Sequence, residues 1–156
     1  MFKITLLTVG NLKERHWQEA QAEYLRRLSP FAKVDVIEVA AEPFGGSVTA
    51  DQAMRTEGER LMKRLPKDAA IIALERTGKR LSSVEFAYLL KDEGGSGTHL
   101  VFVIGGTAGL DPAFLAKSRT KISLSPMTFT HEMARVFLLE QVYRAMTILS
   151  KKPYHY

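Results

Sequence analysis

Apolar residues gather in five short runs along the chain. Residues 69–74 (AAIIAL) and 100–104 (LVFVI) have only apolar side chains, which is typical of central parallel strands covered on both faces. Residues 34–39 mix apolar with acidic side chains and indicate a strand with one polar face. The predicted strands cover residues 2–9, 34–39, 69–74, 100–104 and 121–124.

Amphipathic segments separate these runs. Two of them open with capping boxes, T-x-x-Q at 49–52 and S-x-x-E at 82–85, which are signatures of helix starts. Asp111 followed by Pro112 predicts another start, with Asp111 as the N-cap. The predicted helices cover residues 14–28, 49–65, a segment from 82, a segment from 111, and 131–150.

Strand and helix therefore alternate throughout, which predicts an α/β fold with a mainly parallel sheet flanked by helices. The length of 156 residues suits one domain covering residues 1–156. No window approaches eighteen uninterrupted apolar residues, so we expect no transmembrane helix. The N-terminal run is too short for a signal peptide and predicts a first strand instead.

Composition narrows the chemistry. The formal net charge of +5 permits an anionic partner such as nucleic acid without requiring one. The chain contains no cysteine, which excludes disulfides and thiolate metal sites and fits a reducing compartment. Its four histidines lack the HxH and HxxxH spacings, so we expect no metal site.

Three segments follow the last three predicted strands: residues 75–79, 105–109 and 125–130. Ligands of open parallel sheets bind beyond the carboxyl ends of the strands. If these three strands are neighbours, one ligand could contact all three segments.

The middle segment, GGTAG, differs from the common phosphate loops. A Walker A loop needs G-x-x-x-x-G-K-[ST], and the dinucleotide fingerprint needs G-x-G-x-x-G near the first strand. Neither spacing is present. Two interpretations stay open from these residues alone: a turn that approaches a ligand closely, and a tight turn that binds nothing.

The last predicted helix has apolar residues on two sides. Met133, Phe137 and Ile148 lie opposite its main apolar arc, which favours a subunit interface over burial within one subunit. The tail that follows, KKPYHY at 151–156, combines basic and aromatic residues that suit phosphates and unpaired bases. A frayed chain end is the alternative.

Several motifs resemble one known family. TVGNLKE at 8–14, ALERTGK at 73–79, FVIGGTAGL at 102–110 and the block from 124 to 155, LSPMTFTHEMARVFLLEQVYRAMTILSKKPYH, are similar to 23S rRNA (pseudouridine-N3) methyltransferases of the SPOUT superfamily. The resemblance implies a C-terminal trefoil knot, a homodimer built through the last helix, and S-adenosylmethionine as methyl donor. It also implies 23S rRNA of the ribosome as substrate and a cytoplasmic location.

The resemblance also implies site residues. At Thr130 the chain departs from the family, which commonly has proline there. Thr130 would be a good N-cap for the last helix. The cofactor-binding residues that the resemblance implies are Leu74, Glu75, Gly105, Gly106, Ser125, Pro126, Met127, Thr128, Phe129 and Thr130.

On the substrate side, the candidates are His131, Arg144, Tyr154 and His155. Histidine is the natural proton acceptor near neutral pH, and arginine can stabilise negative charge but cannot act as a base. Two structural alternatives stay open: His131 caps the last helix, and Arg144 pairs with Glu140 one turn away. Two functional alternatives also stay open, a non-catalytic RNA-binding factor and a module for another adenine ligand.

Overall fold

The computed structural model describes residues 1–155. Within them, strands and helices alternate in the predicted order, and most predicted bounds lie within two residues of the observed ones. The elements are β1 (Phe2–Val9), α1 (Arg15–Leu28), β2 (Ala32–Val39), α2 (Ala50–Met62), β3 (Ala70–Arg80), α3 (Ser83–Gly94), β4 (Leu100–Ile104), α4 (Pro112–Leu115), β5 (Thr120–Ser123) and α5 (His131–Leu149).

The five strands form one parallel sheet in the order β2-β1-β4-β3-β5. The α/β prediction is therefore confirmed. The central strand, β4, is buried at every position, as its wholly apolar sequence predicts. Strands β4, β3 and β5 are consecutive neighbours, so the condition for a shared ligand site at their carboxyl ends is met.

The third strand is longer than predicted, because residues 75–79 belong to β3 and do not form a loop. Leu74 and Lys79 both pair with Ile122 of β5, so the intervening residues bulge out of the ladder. Gly78 packs tightly here, since a Cβ at this position would lie 2.8 Å from the carbonyl carbon of Ile122. The polar composition of this segment concealed the bulged continuation of β3.

Both predicted capping boxes are confirmed, at Thr49 with Gln52 and at Ser82 with Glu85. Asp111 is the N-cap residue of α4 and Pro112 is its first residue, as predicted. The Asp111 side chain makes no capping hydrogen bond, and α4 is a single turn that begins at Pro112. The Asp-Pro pattern therefore marks the start of the helix correctly, although the aspartate side chain does not cap it.

The helices cover both faces of the sheet. On one face, α5 packs between α1 and α3, and its predicted apolar arc is buried in the larger core. On the other face, α2 and α4 contribute Leu61 and Phe114 to a second core. In the described chain no helix combines the length and apolarity needed to cross a membrane. The trefoil knot stays a prediction.

Candidate functional site

A cleft of about 980 Å³ opens at the carboxyl ends of β3, β4 and β5. The three segments singled out in the sequence line it together with the first turn of α5. Pro126 is exposed and lies outside the lining. The predicted residues that line the cleft are Leu74, Glu75, Gly105, Gly106, Ser125, Met127, Thr128, Phe129, Thr130 and His131.

The walls of the cleft combine apolar side chains with polar loop groups. Leu74, Ile104 and Leu124 supply apolar surface from the three strand ends. Ser125 is fixed, because its Oγ accepts a hydrogen bond of 3.0 Å from the Met127 amide. Such a cleft suits a ligand with both apolar and polar parts. Within residues 1–155, no cluster of acidic and histidine side chains has metal-binding geometry.

The glycine segment forms a tight turn. The Gly109 amide donates a 3.0 Å hydrogen bond to the carbonyl of Gly106, and Gly109 has a φ of +90° that favours glycine. A Cβ on Gly105 would lie 2.9 Å from the carbonyl carbon of Gly109. The turn alone therefore requires glycine at these positions, and a ligand-contacting role for them stays a prediction.

The carboxylate of Glu57 lies behind this turn, and the sequence did not predict it as part of the site. Glu57 of α2 is 4% exposed, and a Cβ on Gly106 would lie 2.9 Å from each of its carboxylate oxygens. Burial raises the pKa of Glu57 above its ordinary value. A signal was present, because Glu57 lies four residues before Leu61 and three after Met54, on the apolar stripe of its helix.

His131 is the one substrate-side candidate that lines the cleft. Its Nε2 lies 2.7 Å from Oε1 of Glu132, and its ring packs against Gly10 at the end of β1. Thr130 caps α5 by accepting a hydrogen bond of 3.3 Å from the Met133 amide. The cap therefore belongs to Thr130, as predicted, and the alternative role for His131 was wrong.

Arg144 and Tyr154 form a separate cluster beside the far part of α5. Arg144 pairs with Glu140, with its Nε 3.1 Å from Oε1, which confirms the i, i+4 pair. The Tyr154 hydroxyl donates to the same oxygen at 3.2 Å, and Arg144 lies over the Tyr154 ring, 4.8 Å from its centroid. The tail thus folds back onto its own helix as far as Tyr154.

This cluster has distinct electrostatics. Hydrogen bonding to Glu140 raises the pKa of Arg144, so the guanidinium stays charged. Burial, with the charge of Glu140 as a smaller cause, raises the pKa of Tyr154 to about 12. His155 is exposed, and Tyr156, the last residue of the predicted tail, lies outside the described residues.

Arg144 and Tyr154 do not reach the cleft within the described chain. Arg144 follows His131 by thirteen residues on the same helix, a rise of roughly 20 Å at 1.5 Å per residue. A second cavity of about 320 Å³ lies between α3, β5 and α5. Its lining includes Glu140 and Phe137, and it shares Phe129 with the cleft.

Comparison with known proteins identifies the family. Residues 2–155 match the family described as "Predicted SPOUT methyltransferase". The chain is 47% identical to the ribosomal RNA large subunit methyltransferase H of Bifidobacterium animalis subsp. lactis, over 97% of this chain and 98% of that protein. It is 45% identical to the protein of that name from Bifidobacterium adolescentis, over 98% and 99%.

A solved structure described as "a probable methylase family protein" from Haemophilus influenzae has a similar fold. Its TM-score is 0.57 at 12% identity, and the match covers 97% of this chain and 70% of that one. At this identity the likeness concerns the fold alone. The full-length sequence matches are decisive, and this chain belongs to the SPOUT methyltransferase family, in the group that includes the ribosomal RNA large subunit methyltransferase H proteins.

Proposed function

We propose that this protein transfers a methyl group from S-adenosylmethionine to N3 of a pseudouridine in 23S rRNA of the assembled ribosome. The observation that carries the proposal is the convergence of three strand-end segments on one cleft, in a chain of the SPOUT methyltransferase family. The names of the relatives, ribosomal RNA large subunit methyltransferase H, support ribosomal RNA as the substrate.

The cleft fits the methyl donor. Its volume of about 980 Å³ lies at the upper end of the range for small-molecule pockets. Leu74, Ile104 and Leu124 would face the apolar parts of the ligand, and the backbone of residues 105–109 and 125–130 would offer amides and carbonyls. The donor supplies an electrophilic methyl group on its sulfonium.

The protein has two tasks in such a displacement: to align the nucleophile with the methyl group and to exclude water. The pyrimidine N3 must also lose its proton. His131 in the cleft and the exposed His155 are the groups suited to accept it. Tyr154, with a pKa of about 12, stays a phenol at neutral pH and so is not a candidate for the base. Arg144 would stabilise negative charge on the deprotonated ring.

A second copy of the chain would bring these groups together. The cluster around Arg144 lies roughly 20 Å along α5 from His131, too far to act on a base held at the cleft of the same chain. Phe137 on α5 is 41% exposed, and its ring packs edge-on against that of Phe129, with centroids 5.2 Å apart. We propose that α5 packs against its copy in a homodimer, so that the tail of one subunit faces the cleft of the other.

Charge supports an RNA partner. Each chain carries a formal +5, and a dimer would carry twice that, which favours association with a polyanion. So small a protein would take most of its specificity from the shape of the folded ribosome. A ribosomal substrate also accounts for the proposed cytoplasmic location.

The test is methyl transfer from labelled S-adenosylmethionine to ribosomes that lack the modification, with isolated large subunits and free 23S rRNA as parallel substrates. We expect incorporation into assembled ribosomes, at N3 of pseudouridine by mass spectrometry of nuclease digests. Binding of the donor without transfer to any of these would favour a non-catalytic RNA-binding factor. Calorimetric preference for ATP or NAD over S-adenosylmethionine and S-adenosylhomocysteine would favour another adenine ligand.

A further inference from the structure

The side of the glycine turn that faces away from the cleft packs against the carboxylate of Glu57. Hydrogen bonds from the other side hold this carboxylate in place. Oε2 of Glu57 accepts a 2.9 Å hydrogen bond from the amide of Glu42, in the connection between β2 and α2. The side chain of Glu42 in turn pairs with Arg60 at 2.6 Å, and Arg60 donates to the carbonyl of Ala40 at 2.9 Å. The carboxylate is therefore anchored at both α2 and the β2–α2 connection.

The other carboxylate oxygen, Oε1, is buried without a hydrogen-bond partner among the described residues. A buried polar atom without a partner is costly, so its position calls for a reason. It lies in the space that a side chain of residue 106 would occupy, and Val9 closes the same space, 3.0 Å from the Cβ position. The turn cannot move backwards without meeting the carboxylate.

Gly58, the next residue of α2, also packs tightly against the segment that follows the glycine turn. A Cβ on Gly58 would lie 2.9 Å from Cβ of Asp111, just beyond the glycine turn. Two consecutive residues of α2 therefore pack closely against this part of the chain: Glu57 against Gly106, and Gly58 against Asp111. These two contacts of α2 fix how far the glycine turn projects into the cleft.

We infer that Glu57 is a positioning residue, whose buried carboxylate sets the depth of the Gly105–Gly109 turn in the cleft and so the affinity for the ligand held there. The inference rests on the proposed function for the identity of that ligand. It assigns Glu57 no contact with the ligand and no part in proton transfer.

A double-mutant cycle on Glu57 and Gly106 tests the inference. Gly106→Ala has no adverse φ, and its Cβ meets the carboxylate and Val9, so the turn must shift towards the cleft. We expect it to weaken S-adenosylmethionine binding about tenfold by calorimetry. In the Glu57→Ala background the carboxylate is gone, and the same change should weaken binding less than threefold. Glu57→Gln preserves the shape and should bind within twofold of the native protein.

The matched control is Glu59→Ala, which removes an exposed carboxylate two residues away on α2 and should leave affinity unchanged. Circular dichroism and melting curves select conditions in which every variant is folded, so that a purely structural role would not alter affinity. Independent effects of the two substitutions, or a loss of more than twofold in Glu57→Gln, would overturn the inference.

Failure of the native protein to bind S-adenosylmethionine would contradict the proposed function separately. In that case, the double-mutant cycle on Glu57 and Gly106 can be measured in the unliganded protein through the amide chemical shifts of Thr107 and Ala108. Non-additive shifts would support the positioning role, and additive shifts would reject it.

Discussion

The hydroxyl of Tyr154 lies 3.2 Å from Oε1 of Glu140, the carboxylate oxygen that also pairs with Arg144. The ring of Tyr154 packs against that of Tyr143, with the two ring centroids 4.7 Å apart. One carboxylate therefore holds both the tail and the arginine proposed to face the RNA. Glu140 positions both groups proposed for the substrate side, and in the described chain it does not line the cleft.

Replacing Glu140 with Ala should therefore affect catalysis more than cofactor binding. We expect kcat/KM for ribosome methylation to fall about tenfold or more, because each freed group loses a charge-assisted hydrogen bond worth about 1.5–3 kcal/mol. The Kd for S-adenosylmethionine should stay within twofold. Glu19→Ala, which removes an exposed partner of Arg15, is the control. Equal losses in both variants would reject a special role for Glu140.

Removal of residues 153–156 should abolish methylation while sparing the cleft. The deletion takes away Tyr154 and His155, and neither lines the cleft in the described chain. Calorimetry with the truncated protein should give a cofactor affinity within twofold of the native value. A large loss of affinity would contradict the division between a cofactor cleft and a substrate-side tail.

An ion pair between the buried Arg135 and the exposed Glu38 joins α5 to the sheet. Nη1 of Arg135 lies 2.7 Å from Oε2 of Glu38, and Nη2 donates to Oγ1 of Thr8 at 2.8 Å. Arg135 is 1% exposed. Substitution by Met would leave the buried Thr8 hydroxyl without this partner, at about 1–3 kcal/mol, so the free energy of unfolding should fall by about that amount or more.

Urea denaturation measures this change, and Arg15→Met is the matched control. Arg15 forms an exposed pair with Glu19, and such pairs contribute about 0–1 kcal/mol. If the two substitutions cost the same, the ion pair of Arg135 does not anchor α5.

Local patterns predicted most of the fold. The alternation of runs gave the element order, the all-apolar run at 100–104 marked the central strand, and both capping boxes began helices as predicted. These features depend on neighbours in sequence. The bulged end of β3 was missed because its pairing with β5 is a tertiary contact between polar residues and Ile122.

The candidate site divides in the same way. Because ligands of parallel sheets bind at the carboxyl ends of the strands, the sequence predicted that three segments lie together there. The structure brings them together around one cleft. Sequence could not show that Tyr154 folds back onto Glu140 and Arg144, or that Glu57 supports the glycine turn from behind. Both facts depend on how distant segments pack. The assigned roles of the site residues, the homodimer and the single domain stay predictions.

The buried carboxylate of Glu57 gives a pH signature. Burial raises its folded-state pKa above the ordinary 4.5, so between these two values the folded protein binds more protons than the unfolded chain. By linkage, this group contributes stability that is fully present below pH 4.5 and is lost as pH rises through the raised pKa. Other groups titrate in that range, so the difference from Glu57→Gln isolates its contribution.

Glu57→Gln removes the titration while keeping an acceptor for the Glu42 amide. We therefore expect the stability of the variant relative to the native protein to rise as the pH increases from 4.5 through the raised pKa of Glu57. Urea denaturation across this range, with Glu59→Gln as an exposed control, measures the difference. A difference that stays constant with pH would mean that Glu57 has the same pKa in the folded and unfolded chains, and that its burial does not disfavour the charged form.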